Sequence, residues 1–78
     1  MDFIDTMDFS KKTNTMKGVT YTVWADYATL TIHTEDSRGR ANTAKVENRE
    51  ILYTTYARVL NSIGFSCFEG KITKREEF

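Results

Sequence analysis

From residue 18 onward the chain alternates between small polar and larger side chains. In GVTYTVWADYATLTIHTED, residues 18–36, threonine recurs between larger neighbours. Successive side chains of an extended chain point to opposite faces, so Val19, Tyr21 and Val23 share one side and Thr20, Thr22 and Trp24 the other. After a break at 25–27, Ala28, Leu30 and Ile32 share a face opposite Thr29, Thr31 and His33. β-branched and aromatic residues suit a pleated, half-buried surface. The pattern predicts two antiparallel strands over 18–25 and 27–35, with one bent strand as the alternative. The break lacks the Asn-Gly type of dipeptide that marks a two-residue hairpin, so its turn type stays open.

Asp36-Ser37-Arg38-Gly39 is a stronger turn signal, because Asp and Ser bond their own backbone and Gly tolerates positive φ. A third strand over 40–46 would place Ala44 and Val46 inward. A helix competes for 41–47, since Asn42 or Thr43 could cap one. The period then changes from two to 3.6. In NREILYTTYARVLNSIGF, residues 48–65, Leu52, Tyr56, Val59, Leu60 and Ile63 form one stripe of a helix. Asn48 is the expected N-cap, Glu50 sits in the positive first turn, and Gly64 follows the last apolar turn as a terminator. Ile51 falls on the far side of the wheel beside Arg58, either covered by the N-terminal segment or exposed. Phe65, Cys67, Phe68 and Ile72 predict a last strand over 65–73, with a bulge at Gly70.

Residues 1–17 are read as an arm, poorly structured or a short helical turn, with Phe3, Ile4 and Met7 on one side and the stretch SKKTNT as a loop. The arm packs loosely on its own domain or frays, or it docks on a partner or a second copy of the chain. Residues 18–74 form a single α+β domain, and 75–78 are a charged tail. The predicted architecture is a small antiparallel sheet in β-β-β-α-β order with one amphipathic helix packed on one face. The other face is left open, and it carries Thr20, Thr22, Thr29 and Thr31 beside Trp24 and His33. A meander also leaves edges that the arm or a second subunit would protect, so a homodimer is expected as one solution.

Composition narrows this picture by exclusion. In 78 residues, eleven Lys+Arg balance eleven Asp+Glu, and 40% of positions are hydrophobic. That is neither a disordered composition nor the cationic surplus of a non-specific nucleic-acid binder. One cysteine makes no intrachain disulfide. The acidic start has no apolar run of signal-peptide length, and no segment is apolar enough to span a bilayer. A cytoplasmic, soluble protein is expected. Gly18, Gly39, Gly64 and Gly70 lie too far apart for a phosphate loop, and no paired-ligand spacing points to a metal or other cofactor. Asp2, Asp5 and Asp8 do not match a calcium loop and are read as solvated acids. His33 and Cys67 are the only nucleophile–base candidates, and the predicted topology puts them on opposite sides of the sheet. A non-enzymatic protein is therefore expected.

The candidate contact residues are Trp24, Tyr27 and His33 on the uncovered face, with Arg38 and Arg40 at the second turn. They point to a small protein-binding module acting by steric contact. The alternative is a nucleic-acid binder using Arg38, Arg40, Lys45 and Arg49, although Glu35, Asp36 and Glu47 interrupt that basic stretch. Tyr53 and Tyr56 are read as core-edge residues of the helix. In scale and style the chain resembles the small one-domain accessory proteins of phages and mobile elements, including anti-CRISPR inhibitors of host defence. The likeness rests on size and make-up, not on a motif, and it implies an inhibitory partner contact.

Overall fold

The alternation over 18–36 resolves into two strands at the centre of a four-stranded meander. A computed structural model describes residues 4–75. The elements are β1 (Lys12–Met16), β2 (Val19–Asp26), β3 (Thr31–Asp36), β4 (Ala41–Lys45), α1 (Arg49–Ser62), β5 (Phe65–Phe68) and β6 (Lys71–Lys74). β1 to β4 pair antiparallel in sequence order, and β5–β6 form a separate hairpin. The class is α+β, as the pattern predicts. No described helix is long and apolar enough to cross a membrane.

Residues directly opposite in an antiparallel pair share a face, so the register sorts the sheet. Val23 lies opposite Lys12 and Thr34, and Ala25 opposite Ile32. Val23, Ala25 and Ile32 are buried, and they meet Leu52, Tyr56, Leu60 and Ile63 in one core. Val23, Leu52, Tyr56 and Leu60 have no solvent exposure at all. The helix begins where expected. Asn48 is extended, and its side-chain oxygen accepts from the Ile51 N–H at 2.9 Å. Ile51 itself stays 41% exposed. α1 contacts β2 and β3, so Ala44 on β4 points to the helix side without being buried. Val46, just past β4, packs partly against the core as expected.

Four features depart from the expected arrangement. The stretch read as a loop contains β1. Its alternation is genuine, with Thr13 and Thr15 outward and Asn14 and Met16 inward, but a polar residue occupies an inward position and conceals it. Asn14 is only 5% exposed, and its amide donates to the Ile63 carbonyl at 2.7 Å. That carbonyl belongs to the last turn of the helix and lacks an intrahelical partner. Gly64 follows at φ +100, and a Cβ there would collide with the Asn14 amide nitrogen. Glycine is thus required twice over, for its dihedral and for the close approach of β1.

The β2–β3 connection is a turn over 27–30, so Ala28 and Leu30 are not strand residues. The Asp26 carboxylate accepts from the Ala28 N–H at 3.0 Å and organises that turn. The predicted last strand is two strands. Glu69 and Gly70 both have positive φ, +50 and +82, and close a two-residue hairpin instead of a bulge. Finally, the N-terminal segment is docked on its own domain. Ile4 and Met7 are buried. The Phe9 ring lies 5.1 Å from that of Tyr56. The Tyr56 hydroxyl donates to the Asp8 and Ser10 carbonyls at 3.3 and 3.1 Å. Beyond Arg75, which bonds the Asn61 side chain and the Gly64 carbonyl, the expected tail lies outside the described residues. So does Phe3.

Two stability measurements check this packing. Asn14→Ala leaves the Ile63 carbonyl buried without its donor, and is expected to lower the unfolding free energy by about 1–3 kcal/mol in urea. Burial, with a smaller push from the Asp8 charge, raises the pKa of Tyr56 above the ordinary tyrosine value. The unfolded chain therefore loses this proton first. The stabilising term is intact below about pH 10 and is lost as pH climbs from there towards the folded-state pKa. Stability measured from pH 8 to 12 should fall less steeply in Tyr56→Phe than in the parent. An unchanged slope would count against the burial of that hydroxyl.

Candidate functional site

The second face of the sheet belongs to the other half of the alternation. Thr13, Thr15, Thr20, Thr22, Trp24, Thr31, His33, Glu35, Thr43 and Lys45 all point to it by register. None of them is buried, and no described element packs over them. The Cα trace measures 15 Å along its shortest axis, enough for two layers and no third.

Pairs and rows give this face a fixed shape. Thr15 and Thr20 share a hydroxyl hydrogen bond of 2.8 Å, and Thr13 and Thr22 one of 3.2 Å. Each such cross-strand pair contributes on the order of 0.2–1 kcal/mol. The next row is Lys11, Trp24, His33 and Thr43. The His33 imidazole stacks on the indole with centroids 5.1 Å apart and planes 11° apart. The Lys11 ammonium sits 4.7 Å from the ring centroid. Lys11 precedes β1 and His33 lies on β3, which flank β2 on opposite sides. The indole therefore stands between a cation and an imidazole, with its outer edge towards solvent. Thr43 Oγ1 lies 3.5 Å from His33 Nδ1 at the end of the row. Trp24 and His33 thus meet, as the sequence suggests. Its faces are occupied, however, so the indole is not an open stacking platform for bases.

Tyr27 is not part of this row. It lies in the β2–β3 turn, its ring stacked on Phe9 at 5.7 Å. Its hydroxyl donates to Asp5 at 2.9 Å and accepts from Arg49 at 3.2 Å. The residue following Asp26 is drawn to the helix side because Phe9 and Tyr56 offer an aromatic surface there. Arg38 also turns away from the open face. Its guanidinium pairs with the Asp36 carboxylate at 2.9 Å and lies 5.8 Å from the Tyr21 ring on the helix side. Asp36 also accepts from the Arg38 and Arg40 N–H groups at 2.8 and 3.3 Å, which organises the turn. These bonds, the Arg38 side chain first, hold its carboxyl below the usual range.

The basic residues of the alternative reading do not assemble. Arg38 and Arg40 lie at one end of β4 and Lys45 at the other, roughly 17 Å apart by the rise of a strand. Arg49 opens the helix and is paired with Asp5 at 2.6 Å. Cys67 lies on the helix side, with its sulfur 3.9 Å from the Tyr53 hydroxyl, and so does not meet His33. Burial pushes that hydroxyl's pKa up. Among the described residues, no group of three His, Cys, Asp or Glu side chains could hold a metal.

Sequence reasoning missed Lys11, Thr13, Thr15 and Thr43 as members of the open face. The first three follow from β1, whose outward Thr-x-Thr spacing was the available signal. It also missed two hollows, the first beside the helix C-terminus and the second by the β1–β2 turn. One, of about 350 Å³, lies among Tyr21, Thr34, Asn42, Val59 and Ile63; the other, of about 710 Å³, among Met16, Val19, Tyr21 and Arg38.

The sequence contains one tryptophan, so its emission reports the central row. His33→Ala is expected to shift Trp24 emission to the red and raise its quenching by acrylamide, while Arg38→Ala leaves both unchanged. Equal effects from the two variants would contradict this placement. Comparison with protein families, with curated proteins and with solved structures finds no match to this chain.

Proposed function

We propose that the protein is a small, non-enzymatic protein-binding module that acts by steric contact through the open face of its sheet. The observation that supports this most is the ordered row on that face, in which Trp24 stands between Lys11 and His33. Binding costs free energy for every side chain that must be ordered on contact. Here the threonines are stiff at χ1, two pairs of hydroxyls are already bonded, and the indole is braced from both sides. A broad, shallow, mixed aromatic and polar surface of this kind suits another protein better than a small molecule, which needs a concave site. Trp and Tyr also dominate measured interface hot spots.

The contact set is Trp24 and His33 with the surrounding threonines. Tyr27, Arg38 and Arg40 belong to other surfaces. Inhibition of a host complex, in the manner of small phage accessory proteins, is one form of such binding, since it asks no chemistry of this chain. The nucleic-acid alternative gains no support from basic residues spread over both ends of β4.

The test uses the folded protein as bait in an extract of its native host. Trp24→Ala, with unfolding and circular dichroism measured in parallel, should keep the fold and lose the captured protein. Ile51→Ala, on the exposed side of the helix, should keep both. Capture that survives Trp24→Ala would overturn the reading. So would loss of folding in Trp24→Ala together with undiminished capture by a Thr22→Lys variant, which places a long cation on the same face.

A further inference from the structure

The outer edge of β4 has a self-complementary register. In the meander, Asp36 N–H donates to the Arg40 carbonyl and Val46 N–H to the Leu30 carbonyl, each at 2.9 Å. Hydrogen-bonded pairs in an antiparallel ladder recur at every second residue. Residues 40, 42, 44 and 46 therefore bond to β3. The N–H and C=O groups of Ala41, Thr43 and Lys45 point away from it, and no described strand pairs with them. All five residues of β4 are exposed. Natural edges are usually blunted by proline, bulges, inward charges or several lysines. β4 has no proline, pairs with β3 through an uninterrupted register, and carries one charge, Lys45, at its end. β6 by contrast has a lysine at both ends.

We propose that β4 pairs antiparallel with β4 of a second copy of this chain, about a two-fold axis at Thr43. Thr43 then faces its own counterpart, and Ala41 faces Lys45 of the second copy. The outward backbone groups of the three residues make about six new hydrogen bonds. Any extended peptide could satisfy those groups, but the side chains select this chain. On the open face, Glu35 lies opposite Ala41 within one copy. Lys45 of the second copy follows in the same row, about 10 Å from Glu35 between Cα atoms. Only the methyl group of Ala41 lies between them, and the two long side chains together span that distance. The two-fold axis makes the contact twice. Within one copy the same residues are four positions out of register, since Lys45 lies opposite Thr31, and do not meet. A net charge of zero adds no repulsion between copies. The product is one eight-stranded sheet whose two open faces run side by side, which doubles the contact surface without using it.

Sedimentation of the full chain from micromolar to about 1 mM should show a concentration-dependent dimer. Lys45→Glu should weaken dimerisation about tenfold, because two ion pairs become repulsive contacts. Adding Glu35→Lys to that variant should restore it. In a Cys67→Ser background, Thr43→Cys should form an interchain disulfide on mild oxidation, since hydrogen-bonded partners have Cα atoms about 5.5 Å apart. Ala41→Cys should not, because its own counterpart lies four strand positions away, about 14 Å by the rise of a strand. A monomer throughout the concentration range would overturn the proposal. A dimer that neither responds to the charge reversal nor cross-links at position 43 would overturn it equally, and would assign self-association to another surface.

Discussion

One helix must cover a four-stranded sheet, and the rest of the structure follows from that limit. α1 has 14 residues, and its buried stripe of Leu52, Tyr56 and Leu60 is wide enough for β2 and β3. Those two strands therefore carry the inward core residues Val23, Ala25 and Ile32. The same stripe leaves β4 without cover on either side and leaves the second face of the whole sheet to solvent. Conformational entropy must be offset by burial in one thin layer. The chain accordingly recruits every other segment to that layer. Ile4 and Met7 pack from the N-terminal side, and Phe65 of the hairpin closes the other end.

Two buried polar contacts set how those segments dock. Apolar burial is non-directional and would tolerate several positions of an N-terminal arm. The Asn14 amide on the Ile63 carbonyl and the Tyr56 hydroxyl on two arm carbonyls accept only one. They place β1 against the C-terminus of the helix and fix the run of chain from Asp8 to Met16. Lys11 lies inside that run, so the core contact that docks the arm also brings the ammonium to the face of Trp24. The open face is thus organised from the opposite side of the sheet. Its threonines are stiff at χ1, and its indole is braced between Lys11 and His33.

The helix and the two central strands were legible because their apolar residues recur at the period of their backbone. Leu52, Tyr56 and Leu60 fit 3.6, while Val23 against Thr22 and Trp24 fits two. β1 was not legible, because the inward position that should be apolar is Asn14, whose value lies in a hydrogen bond 49 residues away. The β5–β6 hairpin was obscured for a local reason: Glu69 adopts positive φ without being Asn, Asp or Gly, so the turn lacked its usual signature. Half of the open face was readable from parity alone. Trp24 and His33 were placed together correctly, whereas Tyr27 was not, because a turn residue has no parity and this one finds its partner, Phe9, through a tertiary contact. The dispersal of Arg38, Arg40, Lys45 and Arg49 has the same origin, since closeness in sequence does not survive a strand that carries one end about 17 Å from the other.

One parity of β2 maintains the fold, and the other faces solvent. Alanine substitution along β2, read as unfolding free energy in urea, tests this most directly. Val23→Ala should cost about 2–3 kcal/mol through lost burial and the cavity left behind. Thr20→Ala and Thr22→Ala should each cost under about 1 kcal/mol. Losses of equal size at successive positions would mean that both faces are packed, and would contradict the two-layer arrangement on which the open face depends.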